Sequence, residues 1–180
     1  DVEASFVRPD DIYALTEGNP FFVEEILTSL IAAGTIFYVQ GYWNRSALRE
    51  IHIPRSVQDT IEQRLLYLSQ QARDILTQAA VAGRRFDFVL LQQLTHLDEA
   101  QLLVYMKELL ATGLVNEESA EVFAFRHALT REAIYKSLLV RERLRLHRTT
   151  ATMLEQLHTN QIDVYAGDLA SHFYQGEVWY

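Results

Sequence analysis

A mainly helical fold with two small β-hairpins is what this sequence predicts, on three observations. Apolar residues recur at three- and four-residue spacing along most of the chain, and two short β-branched or aromatic runs flank turn residues. The 180 residues, 49% hydrophobic and 22% charged, are enough for the core of one ordinary domain or two small ones. A disordered tail is excluded by the same composition.

Asp10 to Glu17 reads as a short helix, after which Gly18-Asn19-Pro20 resets the backbone. Asn19 suits a helix cap and Pro20 the first helical position, where a missing N–H costs nothing. The helix that follows places Phe22, Ile26, Leu30 and Ala33 on one face and stops at Gly34. Thr35 to Val39 and Tyr42 to Asn44 then form a hairpin across Gln40-Gly41.

Pro54 marks a boundary. From Ser56, Val57, Ile61, Leu65 and Leu68 keep helical spacing, and after Ser69 a second helix carries Ala72, Ile75, Leu76, Ala79 and Ala80 as far as Gly83. Phe86 to Leu94 and Asp98 to Thr112 supply two more, the latter with Leu102, Leu103, Met106, Leu109 and Leu110. Leu114 to Asn116 pairs with Val122 to Phe125 across Glu117 to Glu121, so that helices followed by a β-ribbon reproduce the order of a winged helix. Ala128 to Leu139, Glu142 to Leu157 and Asp163 to Tyr174 complete the chain as helices in series, the start of an α-solenoid.

Sixteen Lys and Arg against 24 Asp and Glu give a formal charge of -8, which argues against a protein that coats nucleic acid or anionic membrane. Without cysteine there is no disulfide framework, thiolate zinc site or cysteine nucleophile, and a reducing, cytoplasmic setting is the expectation. Glu24 and Glu25 interrupt the best apolar run, Phe21 to Ala33, so no membrane span is expected. The opening Asp1-Val2-Glu3-Ala4 has neither an initiator Met nor a secretion signal, and Tyr180 breaks off in helical pattern, which reads as a piece of a larger protein.

No catalytic residues are expected in these 180 residues: there is no GxxxxGK[ST] phosphate loop, GxGxxG, HExxH or GxSxG. No metal ligands are expected either, because no two histidines stand three or four apart on a helix. Glu24-Glu25 and Glu117-Glu118 read as solvated carboxylates. The helix a DNA-binding winged helix would insert, Asp98 to Thr112, has Lys107 against Asp98, Glu99 and Glu108 and offers only Gln101 to read bases. Seven bases between Arg126 and Arg148, against Glu132 and Glu142, follow the ribbon; their alternation with Leu144 and Leu146 fits an amphipathic helix with a solvated or internally paired face.

Three segments taken in order, Gly18-Asn19-Pro20-Phe21-Phe22-Val23-Glu24-Glu25-Ile26-Leu27, Ile53-Pro54-Arg55-Ser56-Val57-Gln58-Asp59-Thr60-Ile61 and Phe125-Arg126-His127-Ala128-Leu129, resemble the C-terminal part of the ATPase module of STAND-type signal-transduction ATPases. That module occurs in large LuxR-type transcriptional regulators and in cyclase- or kinase-linked relatives. Arg143 to His147 and Leu169 to Phe173 resemble the family's first steps into a tetratricopeptide-like arm. The resemblance implies three parts: residues 1–53 as the end of a helical lid, 54–136 as a winged helix and 137–180 as the beginning of the arm.

It also implies a nucleotide site. Pro20 would lie against the adenine, with Gly18 and Asn19 shaping the turn, and a helix N-terminus suits a flat base beside phosphates. His127 matches the position whose histidine reaches the β-phosphate of ADP in the resting state, although Arg126-His127-Ala128 stands where better-known members have Met-His-Asp. Arg126 is a second candidate for a phosphate or acidic partner. The intact protein would bind ATP or ADP with magnesium through an upstream phosphate loop; this part would bind no nucleotide alone and would relay nucleotide state to the arm. Its partners would be the upstream nucleotide-binding domain and the downstream arm, with self-association on activation and DNA bound only through another domain. The alternative is a stand-alone winged-helix module, for protein or DNA, that uses no nucleotide.

Overall fold

The computed structural model describes residues 9–45, 53–159 and 162–177. Residues 1–8 of the expected lid, His52 and Tyr180 lie outside the described residues. The fold is mainly helical, with one antiparallel hairpin and one three-stranded antiparallel sheet among the described residues. Two compact units divide the chain: residues 1–63 with His127–Leu129, and residues 64–126 with 130–180.

In the first unit α1 (Pro9–Thr16) and α2 (Pro20–Ala32) are joined by a sharp turn. Glu17 and Gly18 both have positive φ, 53° and 75°, and the Tyr13 ring lies against the space a Gly18 side chain would fill. Asn19 caps α2 by accepting the Phe21 N–H at 3.1 Å, and Pro20 stands first in the helix. Phe22, Ile26 and Leu30 form the buried face of α2. Beyond it Gly34, at φ 67°, lets the Thr35 N–H reach back to the Leu30 carbonyl at 2.9 Å, satisfying an orphan helix-end acceptor.

β1 (Ile36–Val39) and β2 (Tyr42–Arg45) pair with Val39 opposite Tyr42. Gln40 and Gly41 between them both have positive φ, the backbone of a tight hairpin turn. α3 (Arg55–Leu66) buries Val57 and Ile61 in this unit, and the Ser56 hydroxyl donates to the Glu25 carboxylate of α2. Glu25, expected to be merely solvated, thus ties α2 to α3. Leu68 is buried but lies past the end of α3, where the Leu68 N–H bonds three residues back to Leu65 as the last turn tightens.

In the second unit α4 (Gln70–Ala82), α5 (Phe88–Thr95) and α6 (Glu99–Ala111) precede the ribbon of β4 (Val115–Glu117) and β5 (Val122–Phe125). Ser69, Asp87 and Asp98 cap the three helices through their side chains, Asp98 in a capping box with Gln101. Phe86 was expected to open a helix; it lies instead in a further strand, β3 (Arg85–Asp87), which pairs with β5 so that the sheet runs β3-β5-β4. Two forces put it there. Asp87 accepts the Val89 and Leu90 N–H groups and so starts α5 at Phe88, two residues later than expected, while Phe86 stands opposite Phe123 and packs on it and on Phe125, with centroids 6.2 and 5.7 Å apart.

Glu117 belongs to β4 rather than to the connection, and the Ser119 hydroxyl accepts the Val122 N–H to close the turn. The core of this unit is built from Ile75, Leu76 and Ala79 of α4, Leu91 of α5, Leu102, Met106 and Leu109 of α6, and Phe125. α7 (Ala128–Ser137), α8 (Val140–Leu157) and α9 (Ile162–Gln175) follow. α8 starts two residues earlier than expected because Glu142 accepts the Leu139 N–H at 2.9 Å, half of a capping box, Leu139 having no side-chain acceptor. Leu154 of α8 and Leu169 of α9 share a cluster with Leu90 and Leu94 of α5, so the two final helices bury apolar surface together with α5.

Candidate functional site

Asn19 and His127 are 108 residues apart in sequence, yet in the first unit Asn19 Nδ2 lies 3.4 Å from His127 Nε2. Local chemistry fixes this arrangement. The Asn19 oxygen is committed to the Phe21 N–H by the cap, so its amide nitrogen is the atom left to face the ring. That amide donates, which makes Nε2 the acceptor and places the ring proton on Nδ1. Nδ1 in turn lies 3.7 Å from Glu17 Oε2, close enough for a protonated ring and a carboxylate to attract.

Phe22, the first buried residue of α2, meets the His127 ring edge-on with centroids 5.2 Å apart. His127 is held on one side by this apolar contact and at its two nitrogens by Glu17 and Asn19. Its side chain keeps 22% of its surface exposed. Pro20 is exposed at the first position of α2, and Gly18 supplies the positive φ that turns the chain from α1 into the cap. Gly18, Asn19, Pro20 and His127 therefore belong to one unit and converge on one helix N-terminus, whose dipole favours an anion.

Arg126 belongs to the second unit. It is exposed, and its backbone N–H donates to the Leu114 carbonyl at 3.0 Å, extending the β4-β5 ladder by one bond.

The basic run beyond it is largely engaged within the second unit. Arg131 donates from Nε to the Ala80 carbonyl at 2.8 Å and lies over the Tyr135 ring, as does Arg143, and Arg148 donates to the Gly176 carbonyl at 2.6 Å. Lys136 pairs with Glu132 at 3.1 Å. Arg141 and Arg145 are exposed.

Sequence reasoning missed a second constellation. His147 of α8 and His172 of α9, 2% and 7% exposed, face each other Nδ1 to Nδ1 at 2.8 Å. The Tyr135 hydroxyl lies 2.9 Å from His147 Nε2 and donates to Gln175 at 2.8 Å, and the Ala82 carbonyl accepts from His172. Burial, then His172, Arg131 and Arg143, lower the pKa of His147 to about 4; burial also lowers that of His172, against an opposing pull from Asp168. The available signal was a histidine on the apolar stripe of each helix: His147 in register with Thr150, Ala151 and Leu154, and His172 with Leu169.

No protein-family model matches this sequence, and no curated protein matches it. Among the described residues no helix is long and apolar enough to cross a membrane.

Proposed function

We propose that this chain is the regulatory C-terminal part of the nucleotide-binding module of a STAND-type ATPase. In this reading it clamps ADP or ATP from the side opposite the phosphate loop and relays the nucleotide state to a helical arm. The observation that carries it is the meeting of Asn19 and His127 at the N-terminus of α2, since two segments singled out separately by the resemblance converge on one anion-favouring position. The residues suit a nucleotide diphosphate. Pro20 offers a rigid apolar face, the dipole at the start of α2 favours an anion, and His127 Nε2, on leaving the Asn19 amide, becomes a donor to phosphate once the ring is protonated beside Glu17. Glu17 would repel the same phosphate unless His127 stood charged between them.

Among the described residues no group of three or more His, Asp or Glu is arranged to hold a metal. Magnesium would then be carried by the phosphates and by ligands elsewhere in the protein. The relay is a hinge motion: a ligand that prefers one arrangement of lid and winged helix shifts the population towards it.

A second reading, a winged-helix module that docks protein without nucleotide, is favoured by the exposed side of α6. Leu103 and Val104 are 39% and 62% exposed there, beside Glu99, which suits a protein surface and not a phosphate backbone.

Sequencing the gene upstream of the Asp1 codon separates the readings. A GxxxxGK[ST] loop followed by an apolar strand ending in Asp supports the nucleotide switch; an initiator Met directly before Asp1 would remove the phosphate site and leave the docking module.

A further inference from the structure

The contact between His147 and His172 has room for one proton. Their Nδ1 atoms are 2.8 Å apart, so one nitrogen must donate and the other accept. Each outer nitrogen has its own partner: His172 donates to the Ala82 carbonyl, so its Nδ1 accepts from His147 Nδ1–H, and His147 Nε2 in the uncharged pair takes the Tyr135 hydroxyl proton, which then leaves Gln175. Two fully protonated rings would point two N–H groups at each other across this gap, where both rings are buried. The pair therefore titrates as a unit, and its second proton cannot enter without the rings separating.

Separation means moving α9. The surrounding elements decide how the charge is felt: Arg131 and Tyr135 come from α7, Arg143 from α8 and Asp168 from α9. α4 contributes only the Ala82 carbonyl, and α5 only the apolar Leu90 and Leu94 that cluster with Leu154 and Leu169. Two cations against one carboxylate oppose a second positive charge. A further polar tie from α8 to the end of α9 is the hydrogen bond from Arg148 to the Gly176 carbonyl.

We propose that the His147–His172 pair is a proton-operated latch, which keeps α9 docked on α8 while the pair carries at most one positive charge and frees α9 when it takes up the second. The latch is independent of any nucleotide and works on the segment through which the chain continues towards its C-terminus.

Hydrogen exchange of the whole 180-residue chain between pH 7 and pH 4, corrected for intrinsic rates, tests it. Protection of the α9 amides should fall by about tenfold or more relative to α4 and α6, the factor expected for one pH unit of differential proton uptake. In the double variant His147→Phe with His172→Phe, which keeps two rings and removes the protons, that differential loss should disappear. An α9 that follows α4 and α6 throughout the range, or a double variant with the same differential loss, overturns the latch. Should the variant not fold, ring 15N spectra of the wild type decide: two histidines both fully protonated below pH 5 with α9 still protected would overturn it, and a second proton taken up together with loss of α9 protection would support it.

Discussion

Asn19 performs two tasks with one amide, and removing it tests whether the candidate site is held together as described. The oxygen caps α2 through the Phe21 N–H at 3.1 Å, and the nitrogen holds His127 Nε2 at 3.4 Å. Replacing an Asn cap by Ala costs about 1 kcal/mol. The long, half-buried bond to His127 contributes on the order of 0.5 kcal/mol. Asn19→Ala should therefore destabilise α2 by about 1.5 kcal/mol, whereas Asn19→Ser keeps a capping oxygen and should lose about 0.5 kcal/mol. Because the chain has two units, the assay is amide exchange of α2 and not a global unfolding curve. A double-mutant cycle of Asn19→Ser with His127→Ala should return a coupling of about 0.5 kcal/mol, and the 15N spectrum of His127 in Asn19→Ser should no longer show a single Nδ1–H tautomer. Zero coupling together with an unchanged ring spectrum would refute the reasoning.

The glycines give a paired test, since Gly83→Ala forces a side chain to φ 152° with the Arg85 carbonyl 3.1 Å away, while Gly167→Ala meets nothing within 4 Å inside α9. The first should destabilise by about 1 kcal/mol or more and the second stabilise by about 0.5–1 kcal/mol, read by thermal unfolding. Leu102→Ala, at a fully buried position of α6, should cost about 2–5 kcal/mol in urea unfolding of the second unit. For pH, His147 is lowered on folding from 6.5 to about 4, so between these values the unfolded chain binds more protons than the folded one. Stability should be complete above pH 6.5 and fall as pH drops towards 4, by about 3 kcal/mol at 1.36 kcal/mol per unit, and His147→Phe should flatten that part of the urea-midpoint profile.

The elements legible in the sequence are those whose causes are local. The Asn19 cap with Pro20, the Gln40-Gly41 turn and the Asp98–Gln101 box each lie within a few residues, and the helices they start carry enough apolar periodicity to be read directly. β3 was illegible because its three residues have no strand signal of their own: Phe86 is extended because Phe123 waits 37 positions further on. The same distance hides half of the candidate site. Pro20 and His127 could each be named, but neither Glu17 beside the ring nor the hold of Asn19 on it follows from spacing. The His147–His172 pair was missed because a search for histidines on one helix turn cannot see two rings brought together by the packing of successive helices.

The central claim is that His127 senses a nucleotide, and the direct measurement is the amount of ADP that the full-length native gene product retains through purification, released by denaturation and quantified by chromatography. Near-stoichiometric ADP in the wild type, falling severalfold in His127→Ala with the fold intact, is the result expected of a phosphate-contacting histidine. Equal retention in the two proteins would leave Asn19 and His127 as a structural tie of α2, and the absence of nucleotide from the wild type would remove the site altogether.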